Sequence, residues 1–388
     1  MRNDKYKIVY CTPALYSAGG TERVVSVKAN YFADVLGYDV TIIVTEGKNG
    51  NSFFPLSNNV KVINLGLNFE ELWNKSFVKK ILLYLRKQKR YKKLLTNELL
   101  RIRPDITITT LRREINFINS IDDGSKKIGE QHLSRSNYRR IDSRFSKYYE
   151  KLFFWWWKDR VVASLEKLGK LVVLTDDAVS EWPELTNIRM IPDPLSLKNN
   201  SFSSLTSKRV ITIGRYSYEK GYDILLSIWS IVEKQCTDWQ LDIFGEGRLE
   251  EEINNNIRKK DLRNVNIHPF TDTISQEYAS SSICVLASRF EGFSLVLIEA
   301  MRHGLPCVSF NCPYGPKDLI DDNESGYVIE NDNIKQFAEK LNYLIENTEI
   351  RKKFAKKALL KSTRYDVDTI MSQWRDLFDS LLSNKESR

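Results

Sequence analysis

Ile283 to Phe310 reads ICVLASRFEGFSLVLIEAMRHGLPCVSF. Its first four residues, Ile283 to Leu286, are β-favouring and make a short strand. Gly292 and Ser294 then suit a tight turn and a helix start, and the helix runs to about His303. Gly304-Leu305-Pro306 stops it, and a second strand, Pro306 to Phe310, follows. A short β-rich run, a helix and another β-rich run make the repeating unit of a parallel sheet covered by helices on both faces.

The same alternation extends outward. Upstream lie strands at Val210–Ile213, Trp239–Phe244 and Val265–Ile267, with helices between them. A separate series fills the first half, with strands at Lys7–Cys11, Asp39–Thr45, Val60–Leu65, Ile106–Thr110, Lys127–Glu130 and Leu171–Thr175. A helix from about Thr21 to Leu36, closed by Gly37, and helical residues Thr96 to Ile102 lie among them. Ile191-Pro192-Asp193-Pro194 and the polar run to Ser207 read as a linker, because prolines stop regular structure and a polar run has little to bury. Asn333 to Leu382 is largely helical. The expectation is an α/β chain of two Rossmann-like domains facing each other across a cleft: 1–195, 196–365, and a C-terminal helix, 366–388, packing back on the first domain. Ligands of such sheets bind at the carboxyl ends of the strands.

Composition agrees. The 388 residues are 42% hydrophobic and 28% charged, the balance of a soluble globular protein. No apolar run approaches the ~18 residues of a membrane span, and the short run Ile8–Cys11 is a strand rather than a signal peptide. Five scattered cysteines with no C-x-x-C pair read as buried free thiols of a reducing cytosol. Three histidines and no H-E-x-x-H leave little from which to build a catalytic zinc site. Residues 1–195 hold 33 Lys and Arg against 22 Asp and Glu, a net +11, while the remainder holds 26 against 28, a net −2. A basic first half suits an anionic partner. No nucleic-acid-binding motif accompanies it.

Three loops carry the candidate chemistry. After the strand ending at Leu286, Glu291 stands in the loop and Glu299 deeper along the helix, with backbone amides at the helix start able to hold an anion or sugar hydroxyls. Read alone, two glutamates eight apart are also what an ordinary solvated surface provides. Ile213 to Gly221, IGRYSYEKG, places Arg215 and Lys220 beyond another strand, where two cations could carry a diphosphate without a metal, or form a salt-bridged surface loop. Ala18-Gly19-Gly20-Thr21-Glu22 follows the first strand and lets backbone approach a phosphate, although it is not the G-x-G-x-x-G dinucleotide fingerprint. Gly245-Glu246-Gly247 follows a strand too and could be only a turn.

Taken together and in order, Gly19-Gly20-Thr21-Glu22, Gly214-Arg215 through Lys220-Gly221, Phe244-Gly-Glu-Gly and Glu291-Gly-Phe-Ser through Glu299-Ala300 resemble glycosyltransferase family four, over about residues 7 to 365. The resemblance implies the GT-B fold and a retaining, hexosyltransferase-type reaction. It assigns Arg215 and Lys220 to the donor's diphosphate, Glu291 with the amides of Phe293 and Ser294 to the donor sugar, and Glu299 to the ribose. Gly20 matches the backbone that approaches the phosphates, and Phe270, with Thr271, a loop that meets the base. Gly129-Glu130-Gln131-His132 resembles the family's segment ending in a histidine near the transferred sugar and acceptor, while a core or capping role for His132 stays open. Two places depart from the pattern. Cys312-Pro-Tyr-Gly-Pro-Lys-Asp318 replaces a frequent Gly-Gly-x-x-Glu, as in members that build bacterial surface glycans, and Ile191-Pro-Asp193 stands where Pro-Asn is common.

The expected donor is a UDP-sugar and the expected acceptor a lipid-linked or surface glycan, with no cofactor and no metal. A nucleotide-sugar epimerase of similar fold and a non-catalytic sugar-nucleotide-binding relative are the alternatives. Arg215 and Lys220, available to meet the diphosphate's charge, fit metal independence. Lys79 to Lys93 holds eight basic and no acidic residues, with Ile81, Leu85, Tyr91 and Leu95 placed to line one face. Tyr148 to Trp157 adds three consecutive tryptophans. Basic amphipathic helices and aromatic clusters suit an anionic membrane surface, which implies a peripheral place on the inner face of the cytoplasmic membrane.

Overall fold

A computed structural model describes residues 5–47, 52–72, 76–132, 135, 160–195, 197 and 201–383. The described chain forms two units, each built on its own wholly parallel sheet. The first unit comprises Met1–Leu174, Ala178–Ser196 and Asp368–Arg388, and the second Thr175–Asp177 and Leu197–Val367.

The first sheet contains β1 (Lys7–Thr12), β2 (Asp39–Val44), β3 (Val60–Asn64), β4 (Ile106–Thr109), β5 (Lys126–Glu130), β6 (Lys170–Val173) and β7 (Ile188–Met190). They lie in the order β3-β2-β1-β4-β5-β6-β7. The second contains β8 (Arg209–Ile213), β9 (Gln240–Phe244), β10 (Val265–His268), β11 (Ile283–Leu286), β12 (Cys307–Phe310) and β13 (Gly326–Ile329), in the order β10-β9-β8-β11-β12-β13. In each sheet the chain starts in the middle, winds to one edge, and returns to wind to the other. The direction reverses between β1 and β4, and between β8 and β11, and at such switch points the loops part and leave room for a ligand.

Burial follows the sheet chemistry. The inner strands are covered on both faces and read as unbroken apolar runs, such as Ile8 to Cys11 and Ile283 to Leu286, all fully buried. In the second unit, Leu225, Trp229 and Val232 of the helix Tyr222–Gln235 pack with Leu241, Ile243 and Phe337. The helix Val367–Ser383 buries Ile370, Met371, Trp374, Leu377 and Phe378, one stripe at helical spacing. Through Phe378, whose ring centroid lies 5.2 Å from that of Phe32, it packs within the first unit. All five cysteines are buried free thiols.

Several local expectations change. The helix containing Thr96–Ile102 starts at Phe77, so the basic stretch is its N-terminal half. Tyr91 and Leu95 are buried, whereas Ile81, Leu82 and Leu85 are about half exposed, so the apolar face expected to be continuous is divided between core and surface. Lys87 is drawn inward, donating to the carbonyls of Leu67 and Asn68 at 2.6 Å and pairing with Glu71 at 3.0 Å. The supposed linker also has much to bury: Ile191, Asp193, Leu195 and Leu205 are all buried. Tyr148–Trp157 lies outside the described residues.

Candidate active site

The two loops flanking the switch point of the second sheet are Gly214–Gly221 after β8 and Ala287–Ser294 after β11. Backbone contact locks them together. Gly221 has φ +62°, and a Cβ there would collide with the Ala287 carbonyl oxygen, so only glycine allows the approach. The Arg289 amide donates to the Glu219 carbonyl at 2.8 Å, and the Arg289 guanidinium grips Asp223 at 2.6 and 2.9 Å while lying 4.1 Å over the Tyr218 ring. The Gly245-Glu246-Gly247 turn serves the same end. The Tyr216 amide donates to the Glu246 carbonyl at 2.8 Å, and a side chain at Gly245 would strike the Gly214 carbonyl.

This frame brings Lys220 and Glu291 together. The Lys220 ammonium donates to both carboxylate oxygens of Glu291, at 2.8 and 3.0 Å, and the Ser288 hydroxyl donates to one of them at 2.5 Å. The lysine side chain is 22% exposed and the glutamate 8%, so the pair sits at the mouth of the sheet. Arg215, in the same loop, is exposed, and its charge acts on Glu219. Cys312 lies behind. Burial and the Glu291 charge push its thiol pKa up, with Lys220 opposing. The loop that departs from the family pattern braces the site, since the Glu291 amide donates to the Pro313 carbonyl at 3.2 Å.

The helix Leu295–Arg302 starts at this point, with Ser294 as its N-cap. Phe293 and Ser294 are buried at its head, and the Ser294 hydroxyl has no hydrogen-bond partner within the protein. Amides at a helix start offer partial positive charge to an anion. Glu299 lies in the second turn and is buried, accepting from the Tyr278 hydroxyl at 3.1 Å. Beneath it the buried His303 hydrogen-bonds the Glu299 carbonyl at 2.7 Å, and burial lowers its pKa against that bond. Phe270 is exposed in the loop after β10.

In the first unit, Gly20 opens the helix Gly20–Asp34 after β1, with Gly19 in extended backbone at its N-cap. His132 stands just beyond β5, its side chain 8% exposed between two carboxylates. Its Nε2 lies 3.4 Å from Glu130 and its Nδ1 3.6 Å from Asp193. Lys28, from the middle of the first helix, pairs with Glu130 in the interior. Sequence reading did not single out Lys28 or Asp193, and named Glu130 only within the segment ending at His132. A lysine at the position of a buried helix face, beside Val24, Val25, Ala29 and Phe32, was the available signal. Glu130, His132 and Asp193 are also the one group of three metal-ligand types found close together among the described residues. The Lys28 ammonium already brings a positive charge to that group.

Comparison with known proteins identifies the family. Residues 196–361 match the family described as glycosyl transferases group 1. An uncharacterized glycosyltransferase of Haemophilus influenzae is 31% identical, over 96% of this chain and 99% of that one. The amylovoran biosynthesis glycosyltransferase AmsD of Erwinia amylovora is 28% identical, over 96% of this chain and all of that one. Among solved structures, Staphylococcus aureus TarM in complex with fondaparinux, alpha-GlcNAc-glycerol and UDP has a TM-score of 0.76 at 20% identity, over 96% of this chain and 100% of that one. The likeness runs along the whole chain, and it makes this protein a member of the GT-B glycosyltransferase superfamily.

Proposed function

We propose that this glycosyltransferase moves a hexosyl group from a UDP-sugar to a lipid-linked or surface-glycan acceptor, with retention at the anomeric carbon, as in glycosyltransferase family four. The observation that carries the reading is the Lys220–Glu291 pair at the switch point, with Arg215 exposed in the same loop and a helix start after Ser294. These are a cation set for a diphosphate and a carboxylate for sugar hydroxyls, placed where such sheets bind nucleotides. The amylovoran role of AmsD and the UDP and glycan ligands of TarM support the donor and the acceptor class.

Retention without a protein nucleophile follows from substitution on one face. The acceptor oxygen bonds to the anomeric carbon as the bond to the phosphate oxygen breaks. The bonding electrons leave with the diphosphate, and the acceptor's proton passes to a leaving phosphate oxygen. Arg215 and Lys220 stabilise the growing negative charge. Glu291 and the Phe293 and Ser294 amides orient the sugar, Glu299 holds the ribose, Phe270 meets the base, and Gly20 brings backbone to the phosphates. His132 contacts the transferred sugar. With two cations for the diphosphate, EDTA should leave turnover unchanged. The acceptor is met at an anionic membrane, through Ile81, Leu82 and Leu85 and the exposed Lys79, Lys89 and Arg90 around them.

The test is a panel of nucleotide sugars with a lipid-linked glycan acceptor, following nucleotide release and the anomeric configuration of the product by NMR. Acceptor-dependent UDP release with a retained anomer is expected. Release from no UDP-sugar, or an inverted product, would refute the proposal.

A further inference from the structure

The interior of the first unit holds a charged group that the donor chemistry does not use. Lys28 and Glu130 are 1% and 0% exposed at the side chain and pair directly. Trp374, from the C-terminal helix, lays its ring 4.7 Å from the Lys28 ammonium. A buried ion pair adds little net stability over apolar packing, so it commonly marks a requirement for specific geometry. Burial pushes the Lys28 pKa below the usual lysine range, opposed by the charge of Asp193.

The pair is adjacent to His132, and what it leaves undone points to a role. At 3.4 and 3.6 Å from Glu130 and Asp193, the imidazole is confined by charge without being consumed by hydrogen bonds. Glu130 Oε2, His132 Nε2, Asp193 Oδ1 and the Tyr10 hydroxyl are all buried with no hydrogen-bond partner within the protein. Four such atoms in one cluster are costly in a native interior.

We propose that Lys28 is a positioning residue for glycosyl transfer: held under Trp374, it pins the Glu130 carboxylate so that Glu130 and Asp193, one at each ring nitrogen, hold the His132 imidazole in one orientation beside the reacting sugar. The proposal rests on the reading that His132 contacts the transferred sugar. Glu130 cannot turn away while its oxygen is bound to Lys28, and Lys28 cannot leave without exposing a charge to Trp374 and the surrounding apolar core. Tyr10 and Asp193 complete the wall on the side of β1 and of the segment after β7.

The test compares Lys28→Met/Glu130→Gln, which removes both buried charges together, with Glu130→Gln and His132→Asn. All are assayed as full chains for melting temperature, donor KM and kcat. The double variant should melt within a few degrees of wild type and keep donor KM within about twofold, yet lose roughly tenfold or more in kcat. Wild-type kcat in a stable double variant would overturn the proposal. If the double variant fails to fold, the isosteric Glu130→Gln decides: the same kcat loss at unchanged donor KM supports the role, and wild-type kcat overturns it. His132→Asn separates the two layers. A kcat loss there with a fully active double variant removes the Lys28–Glu130 support and leaves the His132 reading, whereas wild-type kcat in His132→Asn removes the His132 reading and the positioning role with it.

Discussion

Two lysine–glutamate pairs, one in each unit, differ in a single physical respect. Lys220 and Glu291 meet at the mouth of the second sheet with 22% and 8% of their side chains exposed, whereas Lys28 and Glu130 are sealed at 1% and 0%. Near water a lysine can exchange a carboxylate for another anion at small cost, because solvent screens both arrangements. In the interior, removing either partner leaves a charge out of reach of water and without its direct ion-pair partner. The same two residue types therefore make an exchangeable grip in one place and a fixed strut in the other.

Stability should separate the pairs most widely. Lys28→Met is expected to cost about 3–5 kcal/mol, the usual penalty for breaking a buried pair. Lys220→Met should cost less than about 1 kcal/mol. Chemical denaturation of both variants measures the difference, and equal losses would erase the distinction between grip and strut.

Activity should reverse the ranking. Glu291→Gln is expected to lower kcat by roughly a hundredfold or more with little change in donor KM, because an interaction made chiefly in the transition state affects turnover rather than ground-state binding. Glu299→Gln, acting on a ribose that does not change during reaction, should raise donor KM by about tenfold and spare kcat. Steady-state kinetics on the two variants would merge these roles if the parameters moved together.

Two smaller effects sharpen the contrast between exposed and buried charge. Lys89→Glu with Arg90→Glu should weaken binding to anionic vesicles severalfold without affecting nucleotide binding, and added salt should mimic the change. Equal vesicle binding would remove the membrane face. His303 provides the buried counterpart. Its folded pKa lies below the unfolded value near 6.5, so the unfolded chain takes up the proton first and stability falls as pH drops below about 6.5. Replacing it by glutamine should therefore lessen, slightly, the fall in melting temperature between pH 7 and pH 5.

Most of the sheet architecture was legible because inner parallel strands are apolar on both faces and stand out as unbroken runs, as at Ile8–Cys11 and Ile283–Leu286. β7 and β13 escaped because both are short: Ile188–Met190 is largely exposed, and Gly326–Ile329 opens on a glycine after a polar turn. The loops after β8 and β11 were found because their glycines and charges are local in sequence. The group around His132 was not, since Lys28, Glu130 and Asp193 are far apart in the chain and meet only when β5 and the first helix are packed. Asp193 was further hidden between two prolines that signalled a linker, although Ile191, Asp193 and Leu195 of that segment are buried.

The exchange at Lys220 is most directly measured by calorimetric titration of free UDP into wild type, Lys220→Met and Glu291→Gln. A lysine that leaves Glu291 for the diphosphate predicts about tenfold weaker UDP binding in Lys220→Met. In Glu291→Gln the competing carboxylate is gone, so UDP affinity should be unchanged or somewhat tighter. Equal weakening in both variants, or unchanged affinity in Lys220→Met, would contradict the exchange and the donor site built upon it.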